Sequence, residues 1–176
     1  MPTEISGSTG VNKIQDNTIV NADINSSAAI AGSKLVMPSG SVLQVKSDDW
    51  SSESSTTSNT YNDTGLSVSI TPSSSSNKIL VIATLCSWAM SNSASYWQAQ
   101  LQRGNTTIQE FQKVGGYSTS GNHATSDSTA TIFLDSPNTT SATTYKIQSR
   151  PVDSGHLLVM NWNGAISTII AMEIAG

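Results

Sequence analysis

Between Lys78 and Met90 the sequence KILVIATLCSWAM is apolar at both parities. Read as a strand, one face carries Leu80, Ile82, Cys86, Trp88 and Met90. The other carries Ile79, Val81, Ala83, Leu85 and Ala89. A strand in an isolated antiparallel sandwich has one apolar and one polar face, because only one side meets the core. The same two-sidedness recurs in two later segments. In Leu157–Trp162, Leu157 and Val159 oppose Leu158, Met160 and Trp162, and near the end Ile169 and Ala171 oppose Ile170, Met172 and Ile174. One face fills a sandwich core, and the second needs another cover, since large apolar patches are rare on monomers.

Self-association is the simplest cover and favours a closed symmetric oligomer. Burying about 1,000 Å² of apolar surface per subunit contributes on the order of 25 kcal/mol before association costs. The expected interface residues are Ile79, Val81, Leu85, Leu158, Met160 and Ile169. Loops of the same chain are the competing cover.

The rest of the chain supports an all-β fold, an antiparallel β-sandwich of jelly-roll type. Short alternating segments are separated by turn residues at close spacing. They are Ser41–Lys46, Leu66–Ile70, Ser95–Arg103, Thr106–Lys113, Ser128–Leu134 and Thr144–Arg150, with the three two-sided segments making nine. Thr71-Pro72-Ser73, Gly104-Asn105, Pro137-Asn138 and Asn163-Gly164 punctuate them. Composition agrees. Ser, Thr and Asn supply 65 of the 176 residues, while charged residues are only 11%. Thr favours strands, and Ser and Asn favour turns. A helical surface needs far more Glu and Lys.

The first 37 residues have another texture. Ile14, Ile19 and Ile24 recur every five residues, a period that fits neither a helix nor a simple strand. It suits an extended arm that orders against sister chains or a docking partner. A disordered leader is the other reading. Pro38-Ser39-Gly40 marks the boundary, giving an arm over 1–37 and a sandwich over 38–176.

Several function classes are disfavoured. A net charge of -4 with scattered Lys and Arg argues against nucleic acid. Cys86 is the only cysteine, so no intrachain disulfide or CxxC metal site exists. The longest apolar run, from Ile79 to Cys86, is too short to span a bilayer, and the N-terminus MPTEISGSTG does not read as a signal peptide. No cofactor motif appears, and no HExxH, GxSxG or phosphate loop. His123 and His156 lie far apart in turn-like settings. Asp48-Asp49 and Asp63 lack metal-ligand spacing, and Asp127 and Glu53 form no recognisable carboxylate pair. No catalytic or metal residue is assigned, and the expectation is a non-enzyme. Candidate receptor-contact residues are aromatic or lie in polar loops: Trp50, Tyr61, Tyr117 and His123, the last two in the long loop Gly115–Asp127. Tyr96 is a further aromatic at a strand end.

The stretch GVNKIQDNTIVNADINSSAAIAGSKL, Gly10 to Leu35, resembles the N-terminal segment of tail-fibre and other virion structural proteins of marine and cyanobacterial phages. The matching positions are Gly10, Lys13, Ile14, Thr18, Ile19, Ala22, Asp23, Ile24, Ala28, Ala29, Ile30, Ser33, Lys34 and Leu35. The segments TPSSSSNKILV and TIIAMEIAG resemble the C1q/TNF-like jelly rolls at the ends of such fibres. The resemblance implies a homotrimer. It implies an arm docking through Ile14, Ile19, Ile24, Ile30 and Leu35 to other tail or capsid proteins, and contact with a host-surface glycan. An N-terminus unlike a signal peptide, beside a surface of hydroxyls and amides, leads to the expectation of a virion protein made in the host cytoplasm and released by lysis. A capsid decoration (cement) protein and a free lectin are the alternatives.

Overall fold

Alternation of apolar and polar residues, broken by Pro, Gly and Asn, produces a two-layer antiparallel β-sandwich. The computed structural model describes residue 27 and residues 35–91, 95–116 and 123–176, with backbone alone at 95, 112–116 and 123–126. The chain divides into two units, Met1–Val36 and Met37–Gly176. Of the expected arm residues, Ile14, Ile19, Ile24 and Ile30 lie outside the described residues. Leu35 is described and is half-exposed.

The second unit contains β1 (Val42–Trp50), β2 (Ser54–Thr56), β3 (Asn62–Ile70), β4 (Lys78–Met90) and β5 (Ser95–Arg103). These are followed by β6 (Thr106–Gly116), β7 (His123–Asp135), β8 (Thr143–Pro151), β9 (Leu158–Met160) and β10 (Ser167–Ile174). One sheet runs β7–β4–β10–β1, with the short pair β9–β2 filling the remaining edge of β4. The other runs β3–β8–β5–β6. With the two short strands set aside, the eight long ones interleave in the order of a jelly roll. Gly104 takes a left-handed φ of 57° in the two-residue loop that joins β5 to β6.

Each sheet turns one parity inward. Leu66, Val68 and Ile70 from β3 meet Trp97, Ala99 and Leu101 from β5, and Tyr145 and Ile147 from β8. Across the core, β4 contributes Ile79, Val81, Ala83 and Leu85, β9 contributes Leu158 and Met160, and β10 contributes Ile169 and Ala171. Fully burying one such large side chain stabilises the fold by about 1.5–3 kcal/mol.

This arrangement corrects the interface expected from the sequence. Ile79, Val81, Leu85, Leu158, Met160 and Ile169 are at most 2% exposed within a single chain, so they belong to the sandwich core and face no partner subunit. Strand alternation separates two faces but does not say which one the opposite sheet covers; tertiary packing decides that. A bulge adds a second twist. Ser87 sits at φ 48° where the β4–β7 register shifts between Cys86 and Trp88, and this reverses the parity of the rest of β4. Trp88 and Met90 therefore join Leu85 inside. The Trp88 and Trp97 rings pack 5.7 Å apart.

Candidate assembly surface

With Ile79 and its neighbours inside, the opposite parity of β4 looks outward, and antiparallel register shows what shares that face. Residues directly opposed across a ladder project to the same side. Val45 opposes Met172, which opposes Leu80, which opposes Leu134. One row along, Ile170, Ile82 and Ile132 are aligned, and Val42 and Ile174 pair at the other end. These nine aliphatic side chains make a continuous surface over four strands. Ile132 is 66% exposed, Val45 53% and Leu134 50%, while those of β4 and β10 are half-buried by their neighbours. Polarity returns at the next row, Asp49, Thr168, Thr84 and Ala130.

The outer face of the second sheet is its chemical opposite. Gln98, Gln100 and Gln102 of β5 oppose Arg150, Gln148 and Lys146 of β8. Gln100 Nε2 donates to Gln148 Oε1 (2.7 Å), and Gln148 Nε2 donates to Asp63 Oδ1 (2.8 Å). Lys146 pairs with the same carboxylate at 3.0 Å. Thr107 Oγ1 donates to Gln100 Oε1 (3.1 Å), closing a mesh that satisfies these amides within the chain. The first sheet instead shows an aliphatic patch on its outer face, edged by Lys78 beside Ile174, Ser47 beside Ile170, and the Asp49, Thr168 and Thr84 row.

Each receptor candidate has a specific place. Trp50 ends β1, packs against the core edge, and lies over the bare Cα of Gly65. Tyr61 is half-buried beneath the Arg150 guanidinium, 4.8 Å from its ring centroid. Burial and the Glu110 carboxylate push its hydroxyl pKa upward against the pull of Arg150. Arg150 itself donates through Nε to Gln98 Oε1 (2.9 Å) and through Nη1 to the Asn59 carbonyl (2.8 Å). Tyr117 falls outside the described residues. His123 begins β7 opposite Met90, and its side chain is not described. Trp50 is thus engaged with Gly65 and Tyr61 with Arg150, each within the chain.

Two features escaped the sequence reading. The outer-face aliphatics were hidden by the ambiguity of parity. Trp162, 42% exposed, was placed with Leu158 and Met160 by alternation, yet Asn161 takes φ 54° and ends the strand before it. An aromatic flanked by Asn on both sides and followed by Gly is a turn signal that pointed to exposure. Among the described residues no group of three or more His, Cys, Asp or Glu is arranged to hold a metal ion, and no helix is long and apolar enough to cross a membrane.

No family model matches the sequence, and no curated protein matches it either. Similar solved structures include that of the infectious bursal disease virus Gt strain, at 16% identity over 85% of this chain, with a TM-score of 0.36. The VP2 subviral particle of infectious bursal disease virus is similar at 16% identity over 85% of this chain, with a TM-score of 0.38. The chain spans 42% of the length of each of those chains. A likeness at this level identifies no relative.

Proposed function

We propose that this chain is a structural subunit of a bacteriophage particle, a tail fibre or tail appendage, and that it works as a homotrimer. The observation that carries the reading is the outer face of β7–β4–β10–β1. Nine aliphatic side chains on these four strands form one apolar surface, edged by Lys78 and Ser47, and copies of the chain are its cover. The 65 Ser, Thr and Asn residues support the same reading, since they give a hydrogen-bonding surface of low charge suited to a particle outside the cell. The phage-type arm sequence over Gly10–Leu35 supplies the attachment, and no catalytic role is assigned to any residue.

Mechanically, the arm docks the subunit to other virion proteins and the jelly roll holds three copies together. The experiment is sedimentation of the full-length protein combined with particle reconstitution. Trimers in solution and particle-bound protein are expected. With Ile19→Asp and Ile24→Asp together, trimers are expected to persist while particle incorporation is lost. Normal incorporation of that double variant contradicts the docking role.

A further inference from the structure

Among the described residues, four non-glycine positions hold a left-handed φ: Ser87, Asn138, Asn161 and Asn163. Three of them gather at one place. Asn161 (54°) and Asn163 (61°) bracket Trp162 in the short 3-10 turn Trp162–Gly164, and Ser87 (48°) is the bulge on β4 facing it. Gly164 adds a φ of 76°. Asn tolerates such backbone in turns, whereas at Ser87 it is costly and persists because the surroundings enforce it, a feature that clusters at binding sites.

The enforcement is visible. Asn161, fully buried, donates from Nδ2 to the Trp50 carbonyl at 2.6 Å and accepts from the Ser167 hydroxyl. Ser167 Oγ in turn accepts from the Cys86 backbone N–H at 3.0 Å. The Glu53 carboxylate accepts from the Asn163 backbone N–H at 2.9 Å. These bonds fasten the turn to β1, β4 and β10. What they hold in place is a recess of about 240 Å³ lined by Cys86, Ser87, Trp162, Asn163, Gly164 and Ala165, with Trp162 still 42% exposed on its rim.

We propose that this recess binds a single neutral sugar ring. The chemistry of its lining selects the class. Trp162 offers a flat apolar face for the C–H side of a pyranose, and amide, hydroxyl and backbone groups surround it for the ring hydroxyls. No basic residue lines the recess, so a sulfate, phosphate or sialic acid carboxylate finds no counter-charge. The volume lies below the about 300–1,000 Å³ of pockets for drug-sized ligands, which suits one ring. A pinned turn also loses little freedom on binding. The Thr168, Thr84 and Ala130 row lies between this recess and the aliphatic rows. Its biological sense rests on the particle-subunit reading, as the means of host contact, but its binding chemistry does not.

The test mixes the full-length protein with free glucose, galactose, mannose and N-acetylglucosamine in ligand-observed saturation-transfer NMR. Sialic acid and inorganic phosphate are the charged controls. At least one neutral sugar is expected to bind saturably, and neither control. Trp162→Ala is expected to weaken binding at least about tenfold, which is about 1.4 kcal/mol, with unchanged circular dichroism and thermal midpoint. Trp162→Tyr, which keeps an aromatic platform and guards against misfolding of the first variant, is expected to stay within a few-fold of the parent. Absence of saturable binding by every neutral sugar, binding unaffected by Trp162→Ala, or binding of phosphate or sialic acid at the recess overturns the proposal. Sedimentation of the same samples separates the two readings. An intact oligomer without sugar binding sinks the recess alone, and a sugar-binding monomer sinks the assembly alone.

Discussion

The Tyr145 hydroxyl, buried in the core on β8, donates a 2.6 Å hydrogen bond to Asp135 at the end of β7 in the opposite sheet. Arg103 of β5 closes the same cluster, donating through Nη1 to both Asp135 carboxylate oxygens at 2.9 and 3.0 Å. The two layers are therefore joined by a polar clamp as well as by the core. Burial, then the hydrogen bond and charge of Asp135, push the Tyr145 pKa upward, so the hydroxyl remains a donor well into the alkaline range.

Tyr145→Phe removes the donor and leaves Asp135 short of a partner while keeping the ring. A loss of about 2 kcal/mol in unfolding free energy is expected, in line with hydrogen bonds to charged groups. Denaturant melts of the two proteins measure it. A change under about 0.5 kcal/mol, within the range of ordinary surface substitutions, shows that the clamp does not hold the sheets together.

Glu173 tests the C-terminal strand. Fully buried on β10, it accepts from Asn77 Nδ2 (2.6 Å), from the Ser73 backbone N–H (2.6 Å) and hydroxyl (2.8 Å), and from Gln44 Nε2. Burial alone raises its pKa, but the bonds from Asn77, Gln44 and Ser73 outweigh it and bring the carboxyl from 4.5 down to about 2. A group with a lowered folded pKa contributes stability above its unfolded pKa and loses it as pH falls toward the folded one. Up to about 3 kcal/mol is therefore expected to disappear between about pH 4.5 and pH 2. Glu173→Gln, which turns an amide donor toward other donors, is expected to destabilise the neutral protein and flatten that acid limb. Thermal midpoints against pH decide; an unchanged limb in the variant assigns the acid sensitivity elsewhere.

Gly65→Ala probes the seat of Trp50. Gly65 holds φ +108°, and a Cβ there would lie 2.9 Å from Trp50 Nε1. Backbone strain alone costs about 1–3 kcal/mol, and displacement of the ring adds to it. A lowered thermal midpoint and a shifted tryptophan emission are expected. An unaltered protein would mean that Trp50 is not seated on Gly65.

Charge introduced at opposite parities of the first sheet is expected to have opposite consequences. Ile169→Arg places a cation in the sandwich core, where an unpaired charge is not tolerated, and is expected to abolish folding. Ile132→Arg places it on the outer face and is expected to leave a folded protein that no longer associates. Circular dichroism with light scattering distinguishes them; a folded Ile169→Arg protein reverses the assignment of the faces.

Much of the sandwich was legible because local chemistry and global packing agree. Pro72, Gly104 and Asn138 stop segments where strands end, and alternation in Leu66–Ile70 names the inward residues correctly. β2 was not legible, because Ser54–Thr56 has no apolar residue and is a strand only by pairing with β9. The covered face of β4 was not legible either, since Ile79 and Leu80 are equally apolar and only the opposing sheet distinguishes them. Nothing about Ser87 announces a bulge, so the inward turn of Trp88 was invisible. The receptor candidates rested on residue type, and Tyr61 is already occupied by Arg150.

Sedimentation of the purified full-length protein tests the uncovered aliphatic face most directly. A stable trimer at micromolar concentration that Ile132→Arg with Leu80→Arg converts to a folded monomer is the predicted result. A parent protein that sediments as a monomer, with those nine side chains left in water, contradicts it.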